Sequence, residues 1–413
     1  MKSFWTDPSR NVSKTYPDLI RDLNGKRVFK KYIYYRDPYQ ILRELIFSLA
    51  LGFECHLLDS DFSPEEISHL GINLEQLQQD TGIEPPDIPD CPALIRQIDA
   101  QKQNARIVIY TSGTTGRPKS VSYRFEVLQR AVKKGEKFKD DIWAFAYNPT
   151  HFAGIQVFLQ AFLNQNPLVN IFDLSGPDLA RAISGHNITS ISATPTFYRK
   201  MLAEIDGEFP GVKRITLGGE KFDPTIEKQL IRLFPNAVIR NIYASTEAGT
   251  LFTAANDVFS IDPEIKPFLR FEPDGELLIH KDLLGEFNSN DLRGDWYHTG
   301  DMVEFIDPGH FKFISRKSEM INVGGYKVNP HEVEEEIRKV EGVLDARVKA
   351  RANRITGNIL MAEITKQNGL AEAGLEKRIL DHLKNSLQEF KIPRIFKFVD
   401  KLELTRTGKK ERQ

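Results

Sequence analysis

The sequence predicts an α/β protein with a large N-terminal domain and a smaller α+β domain at the C-terminus. Short runs rich in β-branched or aromatic residues occur at positions 106–110, 143–147, 190–193, 214–217 and 238–242. The segments between these runs are long enough for helices, and strands separated by helices are typical of a mostly parallel sheet. Beyond about residue 315 the order of the predicted elements changes, which indicates a second unit.

The C-terminal unit is predicted from a well-marked helix start. Asn329 is a favourable N-cap, Pro330 suits the first helical position and Glu332 suits the third. Two strand-like runs and a second amphipathic helix follow at residues 343–349, 359–365 and 379–387. We therefore expect a small α+β unit, joined to the main body near residues 315–318.

Composition excludes several classes of protein. The 413 residues are 40% hydrophobic and 27% charged, which predicts sizeable cores rather than disorder. The net charge of −1 gives no reason to expect a nucleic-acid partner. The two cysteines, Cys55 and Cys91, suit a reducing compartment. The start lacks an apolar signal core, and the longest apolar run, residues 45–53, is far shorter than the roughly 20 residues that span a bilayer. We predict a soluble cytoplasmic protein without a membrane span.

Residues 110–119, which read YTSGTTGRPK, predict a phosphate-binding loop. Two glycines let the backbone approach a ligand closely, and four hydroxyl residues and Lys119 can donate hydrogen bonds to phosphate oxygens. The two glycines lie too close together for a Walker A loop. Because Pro118 disfavours helix before Lys119, we place the loop between two strands, at residues 107–110 and 121–123. The simpler alternative is a polar hairpin loop.

Together with later segments, this loop resembles the adenylate-forming enzymes, a family of acyl-CoA synthetases, peptide-synthetase adenylation domains and luciferases. Five segments are similar, in order, to its phosphate-loop, adenine and magnesium, ribose, hinge and thiol-tunnel, and catalytic-lysine motifs: residues 110–119, 241–247, 297–301, 315–334 and 404–409. The resemblance implies a large N-terminal adenylation domain of stacked α/β subdomains, residues 1–315. It also implies a small mobile α+β domain, residues 316–413, that carries the catalytic lysine.

The resemblance implies a site for ATP and Mg²⁺. Asp301 is expected to accept hydrogen bonds from the ribose hydroxyls, Tyr243 to offer a flat ring to adenine, and Glu247 to bind Mg²⁺ bridging the phosphates. The residues expected at ATP or AMP are Thr111, Ser112, Gly113, Thr114, Thr115, Gly116, Gly219, Glu220, Asn241, Tyr243, Ala244, Ser245, Thr246, Asp301 and Arg316.

Three residues are expected to act in catalysis. The resemblance implies that Lys119 holds the phosphates and that Lys409 swings in to neutralise charge as a carboxylate attacks the α-phosphate. His151 matches a position that gates the carboxylate pocket in many acyl-CoA and aryl-CoA ligases. Read without the resemblance, Lys409 is part of a frayed basic tail, and a lone histidine is more often structural.

The same resemblance predicts how a thiol reaches the acyl group. Gly324, Gly325 and Tyr326 are similar to the loop that lines a pantetheine tunnel after the small domain rotates. Ser318 stands at the hinge, where the family usually has Asp or Lys. The phosphate loop also arrives early in the chain, so we expect a trimmed N-terminal region.

We therefore predict an AMP-forming acid–thiol ligase that activates an aryl or fatty acyl carboxylic acid with ATP and transfers it to coenzyme A. The alternative acceptor is the phosphopantetheine of an acyl carrier protein, because the residues from Lys312 onward carry more Lys and Arg than Asp and Glu and would suit an acidic partner. A non-catalytic adenylate-binding protein on the same fold is the alternative from another class.

Overall fold

The structure is a computed structural model that describes residues 2–84, 86–112, 118–287, 291–353, 357–367 and 369–404. The first third of the chain contains β1 (Ser3–Asp7), β2 (Val12–Thr15), α1 (Tyr16–Asn24), β3 (Val28–Lys30), β4 (Tyr32–Ile33), α2 (Pro38–Leu51), β5 (Glu54–Leu57), α3 (Pro64–His69), α4 (Leu74–Gln78), β6 (Asp80–Gly82), α5 (Cys91–Ala100), β7 (Arg106–Ser112), β8 (Pro118–Arg124) and α6 (Phe125–Leu128).

The middle third contains β9 (Trp143–Phe145), α7 (Phe152–Phe162), β10 (Leu168–Asn170), α8 (Gly176–Gly185), β11 (Ser190–Ala193), α9 (Pro195–Glu204), β12 (Arg214–Gly218), α10 (Pro224–Leu233), β13 (Val238–Ser245) and β14 (Gly249–Ala254). The last third contains β15 (Val258–Ser260), β16 (Leu269–Phe271), β17 (Glu276–His280), β18 (Leu292–Arg293), β19 (Trp296–Asp307), β20 (His310–Arg316), β21 (Ile321–Val323), β22 (Tyr326–Val328), α11 (Pro330–Arg338), β23 (Val343–Asn353), β24 (Gly357–Lys366), α12 (Glu372–Ser386) and β25 (Ile395–Phe398).

The main sheet has the strand order β14-β13-β12-β11-β9-β10-β1-β2. The six inner strands run parallel, and the outer strands β14 and β2 pair antiparallel to their neighbours. One face packs against α8, α9 and α10 through a buried cluster that includes Ile191, Ile215 and Ile239. The mostly parallel α/β sheet predicted from the sequence is confirmed.

A smaller N-terminal sheet, with the order β4-β5-β7-β8, lies on the other side of the main sheet. The two sheets share one continuous core that includes Ile107, Val121, Phe145 and Phe158. β7 and β8 form an antiparallel hairpin, with Thr111 opposite Lys119. The predicted strand–loop–strand arrangement is therefore present in the backbone, and the turn itself, residues 113–117, lies outside the described residues.

An antiparallel sheet follows, with the order β15-β20-β19-β17-β16 and β18 paired to β19. Aromatic side chains fill its core: the Phe252 and Phe311 rings meet edge to face at 5.0 Å, and Phe259 packs beside both. The register places Asp301 of β19 opposite Arg316 of β20. Two predicted ribose-site residues are thereby brought together by strand pairing.

The C-terminal unit has its own core, built on the sheet β23-β24-β25 and the helices α11 and α12. α11 begins as predicted: the Asn329 side chain accepts a hydrogen bond from the backbone N–H of His331, and Pro330 occupies the first turn. The large N-terminal and small C-terminal domains of the predicted fold class are confirmed. The boundary at residues 315 and 316 stays a prediction, and it falls at the last residues of β20.

Across the described ranges of the chain, no helix combines the length and the apolar character needed to cross a membrane. Both cysteines are free and buried, and burial raises the pKa of the Cys55 and Cys91 thiols to about 12.

Candidate active site

A large cleft opens where the parallel strands of the main sheet end. Its walls come from the carboxyl ends of β11, β12 and β13, from β19 and β20 of the antiparallel sheet, and from α11 and β23 of the C-terminal domain. The cavity volume is about 2420 Å³. Ligand sites in parallel α/β sheets lie at the carboxyl ends of the strands, so this is the expected place for one.

Asp301 lines the cleft and is buried among polar partners. Its Oδ1 accepts a hydrogen bond from Arg316 Nε at 3.0 Å, and its Oδ2 accepts one from the Tyr243 hydroxyl. Burial, and then the negative charge of Asp301, raises the pKa of Tyr243, so the phenol stays protonated and donates. Asp301 in turn raises the pKa of Arg316. Three of the predicted nucleotide residues therefore form one connected group.

The end of β13 and the turn after it present Ser245, Thr246 and Glu247 to the cleft. This segment is held by two contacts: the Tyr123 hydroxyl donates to the Thr246 carbonyl at 2.6 Å, and the Ser245 hydroxyl accepts from the backbone N–H of Ala248 at 3.0 Å. The Glu247 carboxylate raises the pKa of Tyr123 and Tyr297, after the larger effect of burial. Glu247 thus places a negative charge in the cleft beside the Asp301 group.

The predicted wall for adenine is formed by the ends of β12 and β13. Gly219 has φ +82°, a left-handed conformation that favours glycine, and both Gly219 and Ala244 line the cleft. Asn241 is buried, and its Nδ2 donates to the carbonyl of Asn256 at 3.1 Å. Glu220 turns toward α9, where its Oε2 accepts from the Thr196 hydroxyl at 2.9 Å. Glu220 therefore supports the wall from behind.

Only part of the predicted phosphate loop can be placed. Lys119 of β8 lines the cleft, and its Nζ lies 3.5 Å from Asp291 Oδ2. Both side chains are partly exposed, so this ion pair is weak and can exchange for another anion. Thr111 and Ser112 end β7, and only their backbones are described. Gly113, Thr114, Thr115 and Gly116 lie outside the described residues, as does Lys409.

His151 precedes α7 and lies at the wall of the cleft, with 17% of its side chain exposed. Its Nε2 lies 3.1 Å from Oδ2 of Asp59, a carboxylate that follows β5 in the N-terminal sheet and is almost fully buried. The same oxygen accepts from Asn148 Nδ2 at 3.1 Å. The structure thus gives His151 a buried acidic partner that the sequence did not reveal.

The predicted hinge residue lines the cleft, whereas the predicted thiol-tunnel residues do not. Ser318 lines the cleft within a 3-10 turn, Lys317–Glu319, and its neighbour Lys317 pairs with Asp274 at 2.8 Å. Gly324, Gly325 and Tyr326 form the exposed turn of the hairpin β21–β22, and they are not among the lining residues of the cleft in the described ranges. The Tyr326 ring stacks on Phe390 at 4.4 Å.

A buried ion-pair network joins the two domains beside the cleft. Arg199 of α9 contacts Asp345 of β23, with Nε and Oδ2 3.1 Å apart, and Arg338 of α11 contacts Asp223, with Nε and Oδ2 3.2 Å apart. Burial opposes ionisation of Asp223, but Arg338 and Arg199 outweigh it and lower the pKa of that carboxyl. Arg199 also contacts Glu220 at 3.2 Å, so the network reaches the adenine wall.

Sequence reasoning missed Asp59, Arg199, Asp223, Arg338 and Asp345. Each is a single charged residue without a recognisable motif around it. A weak signal existed for Asp59, which directly follows a buried strand, but a lone carboxylate after a strand is common.

The fold is a two-domain α/β architecture with a large cleft at the carboxyl edge of its main sheet. The family described as AMP-binding enzyme matches residues 50–268, and the AMP-binding enzyme C-terminal domain matches residues 332–409. The first match alone covers more than half of the 413 residues, so the chain belongs to the AMP-binding enzyme family. The resemblance found in the sequence is confirmed.

The relatives span several activities. A 2-succinylbenzoate–CoA ligase of Staphylococcus aureus is 25% identical over 387 residues, which are 87% of this chain and 77% of that protein. Bacitracin synthase 3 of Bacillus licheniformis is 25% identical over 346 residues, 74% of this chain but 5% of that much longer protein. The CoA ligase, which this chain matches over most of its length, agrees with the predicted acid–thiol ligase class.

One solved structure is the o-succinylbenzoate coenzyme A synthetase of Bacillus subtilis in complex with ATP and magnesium ion. It has a TM-score of 0.69 and 18% identity, over 99% of this chain and 95% of that one. At this identity the likeness shows the fold. The two chains therefore share the two-domain architecture over almost their whole length.

Proposed function

We propose that this protein is an AMP-forming ligase that activates a carboxylic acid with ATP and passes the acyl group to the thiol of coenzyme A. In the first half-reaction an acid oxygen attacks the α-phosphorus of ATP, the bond to pyrophosphate breaks, and an acyl-adenylate forms. In the second, the thiol sulfur attacks the acyl carbon and AMP leaves. The observation that carries the proposal is the convergence of Tyr243, Glu247, Asp301 and Lys119 on one cleft.

The cleft residues fit a nucleotide. Asp301 offers carboxylate oxygens to ribose hydroxyls, Arg316 can donate beside it, and Lys119 can exchange Asp291 for a phosphate oxygen. Ser245 and Thr246 add hydroxyls on the adjacent turn. We therefore propose that the residues predicted from the sequence to contact ATP or AMP form the ATP site.

A magnesium ion fits the same cleft as a partner of the phosphates. Within the described residues, no group of three or more His, Cys, Asp or Glu side chains could hold a metal alone. Glu247 is one carboxylate facing the cleft, and Mg²⁺ is commonly held by one or two carboxylates together with substrate phosphates. When bound there, the ion would neutralise phosphate charge. Glu247 would hold it and orient the phosphates toward Lys119.

Lys409 is proposed as the residue that stabilises charge in the adenylation step. The C-terminal segment reaches Glu403, whose carbonyl accepts from Arg347 Nη1 of β23 at 3.0 Å. Lys349, two residues further along the same strand, lines the cleft. Lys409 is six residues further along the chain than Glu403, and an extended chain of that length reaches up to about 20 Å. The segment therefore starts close enough for Lys409 to enter the cleft.

Thioester formation would require the small domain, residues 316–413, to turn about Ser318. Gly324, Gly325 and Tyr326 now lie outside the cleft, so a rotation is needed to bring them to the acyl group as a thiol tunnel. Coenzyme A is the proposed acceptor, as named for the Staphylococcus aureus relative. The positive charge of the C-terminal part favours an acidic acyl carrier protein as the second candidate. The buried free thiols suit a reducing compartment, and we place the enzyme in the cytoplasm.

ATP–pyrophosphate exchange tests the first half-reaction. With Mg²⁺ and a panel of acids, we expect exchange that depends on one class of acid, followed by thioester formation when coenzyme A is added. Turnover with a carrier protein and none with free coenzyme A would select the second acceptor. Nucleotide binding without exchange for any acid would contradict the proposal.

Lys409→Ala tests the assigned role of the lysine. Because its charge is needed as the acid attacks the α-phosphate, we expect exchange to fall at least about 100-fold, as for other removed electrostatic stabilisers. Thioester formation from supplied acyl-adenylate should be retained. Lys401→Ala, an exposed lysine on the same segment, is the control. Intact exchange with lost thioester formation would show that the role assigned to Lys409 is wrong.

A further inference from the structure

The floor of the cleft is one face of the main sheet, and its side chains lie in rows across neighbouring strands. Ser192 pairs with Thr216, and Thr216 pairs with Arg240, in the registers of β11, β12 and β13. Alternate residues point to the same face of a strand, and the intervening Ile191, Ile215 and Ile239 are buried on the opposite face. Ser192, Thr216 and Arg240 all line the cleft. They form a polar row, which we call the floor row.

The floor row lies just beyond the predicted adenine wall at the ends of β12 and β13. The next row toward the carboxyl ends contains Gly218, paired with Ile242. Residues two apart on a strand are separated by about 6.6 Å, so Arg240 lies roughly 7 Å from Ile242 and about 13 Å from Ala244. A group in this position meets the part of an acid that extends away from its activated carboxylate.

The chemistry of the floor row does not suit a long alkyl chain. An alkyl chain gains about 0.8 kcal/mol for each CH₂ buried against apolar surface, whereas covering a hydroxyl or a guanidinium without a polar partner is unfavourable. Opposite the floor row, α7 contributes Gln156 to the lining of the cleft. The Gln156 amide already donates to the carbonyl of Leu128 at 3.2 Å, and the Ser192 side chain is hydrogen-bonded to Tyr147. The Arg240 guanidinium is therefore the group of this row for which a polar group of a ligand matters most.

Arg240 is the strongest element of this row because its charge is unmatched. Its guanidinium donates to the carbonyl of Ile239 at 3.1 Å, and no Asp or Glu of the described chain lies within 4.0 Å of it. Arg214, one row further from the predicted adenine wall, also lines the cleft but is neutralised by Asp141. Arg240 is exposed, so an anion could reach it from the cleft.

We infer that the acid activated by this protein carries a second anionic group, such as a second carboxylate, and that Arg240 binds it. The inference rests on the proposed function and names its substrate class. Arg240 binds the distal anionic group, and the floor-row hydroxyls donate to polar atoms that lie between the two ends of the acid. The other carboxylate then lies toward the nucleotide. The separation of the rows matches about five to nine bonds between the two carboxylates.

The experiment is ATP–pyrophosphate exchange with the full-length chain, Mg²⁺ and matched acids. The probes are α,ω-dicarboxylic acids of about six to ten carbons, monocarboxylic acids of the same carbon number, and aryl acids with and without a second carboxylate. We expect kcat/KM to be highest for a dicarboxylic acid. The ratio to its monocarboxylic counterpart is the measured quantity, so a general loss of activity does not affect it.

Variants of Arg240 make the test specific. Arg240→Gln removes the charge and is expected to lower that ratio about 10- to 100-fold, the effect of a lost hydrogen bond to a charged group. Arg240→Lys keeps the charge, so this variant should retain most of the preference for the dicarboxylic acid. Arg232→Gln is the matched control, because Arg232 is exposed on α10 and does not line the cleft within the described ranges.

The outcomes separate this inference from the proposed function. The inference is supported if the protein prefers dicarboxylic acids, if Arg240→Gln abolishes that preference and if Arg240→Lys keeps it. Exchange with long-chain monocarboxylic acids, unchanged by Arg240→Gln, overturns it while the proposed function stands. A dicarboxylic preference equally sensitive to Arg232→Gln would also overturn the role of Arg240. No exchange with any acid overturns both.

Discussion

At the scale of residues, the pair formed by Asp59 and His151 links the two sheets of the N-terminal domain at the cleft. Asp59 accepts from the backbone N–H of Asp61 at 3.0 Å and from Asn148 and His151, so its charge is held in place by several donors. A buried carboxylate that is hydrogen-bonded to an imidazole fixes which ring nitrogen points toward it. Asp59 is therefore a positioning residue for His151.

Asp59→Asn keeps the size of the side chain and removes its charge. We expect kcat/KM for the acid in the exchange assay to fall about tenfold, mostly through a higher KM, because His151 loses its orientation. Asp61→Asn, an exposed neighbour, is the control. The effects of Asp59→Asn and His151→Asn should not add, since both act through one group. Additive losses would contradict the positioning role.

At the scale of elements, α7 is fitted closely against the turn that carries His151. A Cβ on Gly154, in the first turn of α7, would lie 2.2 Å from the Asn148 carbonyl oxygen and 3.3 Å from Pro149 Cα. These are backbone atoms of the segment that precedes the helix, and they cannot move aside as a flexible side chain can. The glycine thus fixes the approach of α7 to the cleft.

We expect Gly154→Ala to destabilise the protein, although a glycine-to-alanine change within a helix usually stabilises. Replacing glycine by alanine inside a helix ordinarily stabilises by up to about 1 kcal/mol, but here the clash should lower Tm and kcat/KM together. Gly374→Ala in α12, where a Cβ would meet nothing within 4 Å, is the matched control and should not lower Tm. Equal Tm values for the two variants would show that α7 adjusts freely.

At the scale of the whole molecule, the ion-pair network between the domains sets their relative orientation. Arg199 and Arg338 bring two positive charges to Asp223 and Asp345, and Lys221 pairs with Glu335 at 2.8 Å at the edge of this group. A partly buried network of this kind depends on every member, because removal of one charge leaves another unpaired. In this orientation Lys349 lines the cleft and the turn at residues 324–326 does not, the arrangement we expect for the proposed adenylation half-reaction.

Asp345→Asn should therefore affect the two half-reactions unequally. Loss of the Asp345 charge removes part of the negative charge that compensates Arg199 and Arg338. This orientation of the small domain is therefore less stable. We expect ATP–pyrophosphate exchange to slow several-fold, while thioester formation from supplied acyl-adenylate is unchanged or faster. Asp381→Asn, exposed on α12, is the control. Equal slowing of both half-reactions would contradict the link between the network and orientation.

The sequence determined the features that depend on neighbouring residues. The capped start of α11, the strand and helix alternation of the main sheet, and the hairpin that carries residues 110–119 are encoded by local periodicity, caps and turns. The order of the motifs likewise predicted the family, and several of the residues that it singled out line the cleft, including Asp301, Tyr243 and Glu247.

The tertiary structure alone decided which distant charges meet. Asp59 and His151 are 92 positions apart, and Arg199 and Asp345 are 146 apart. The floor row exists because β11, β12 and β13 are neighbours in one register. Such contacts follow from strand order and domain docking, which depend on the packing of the whole core, and no local pattern around a single charged residue records its partner.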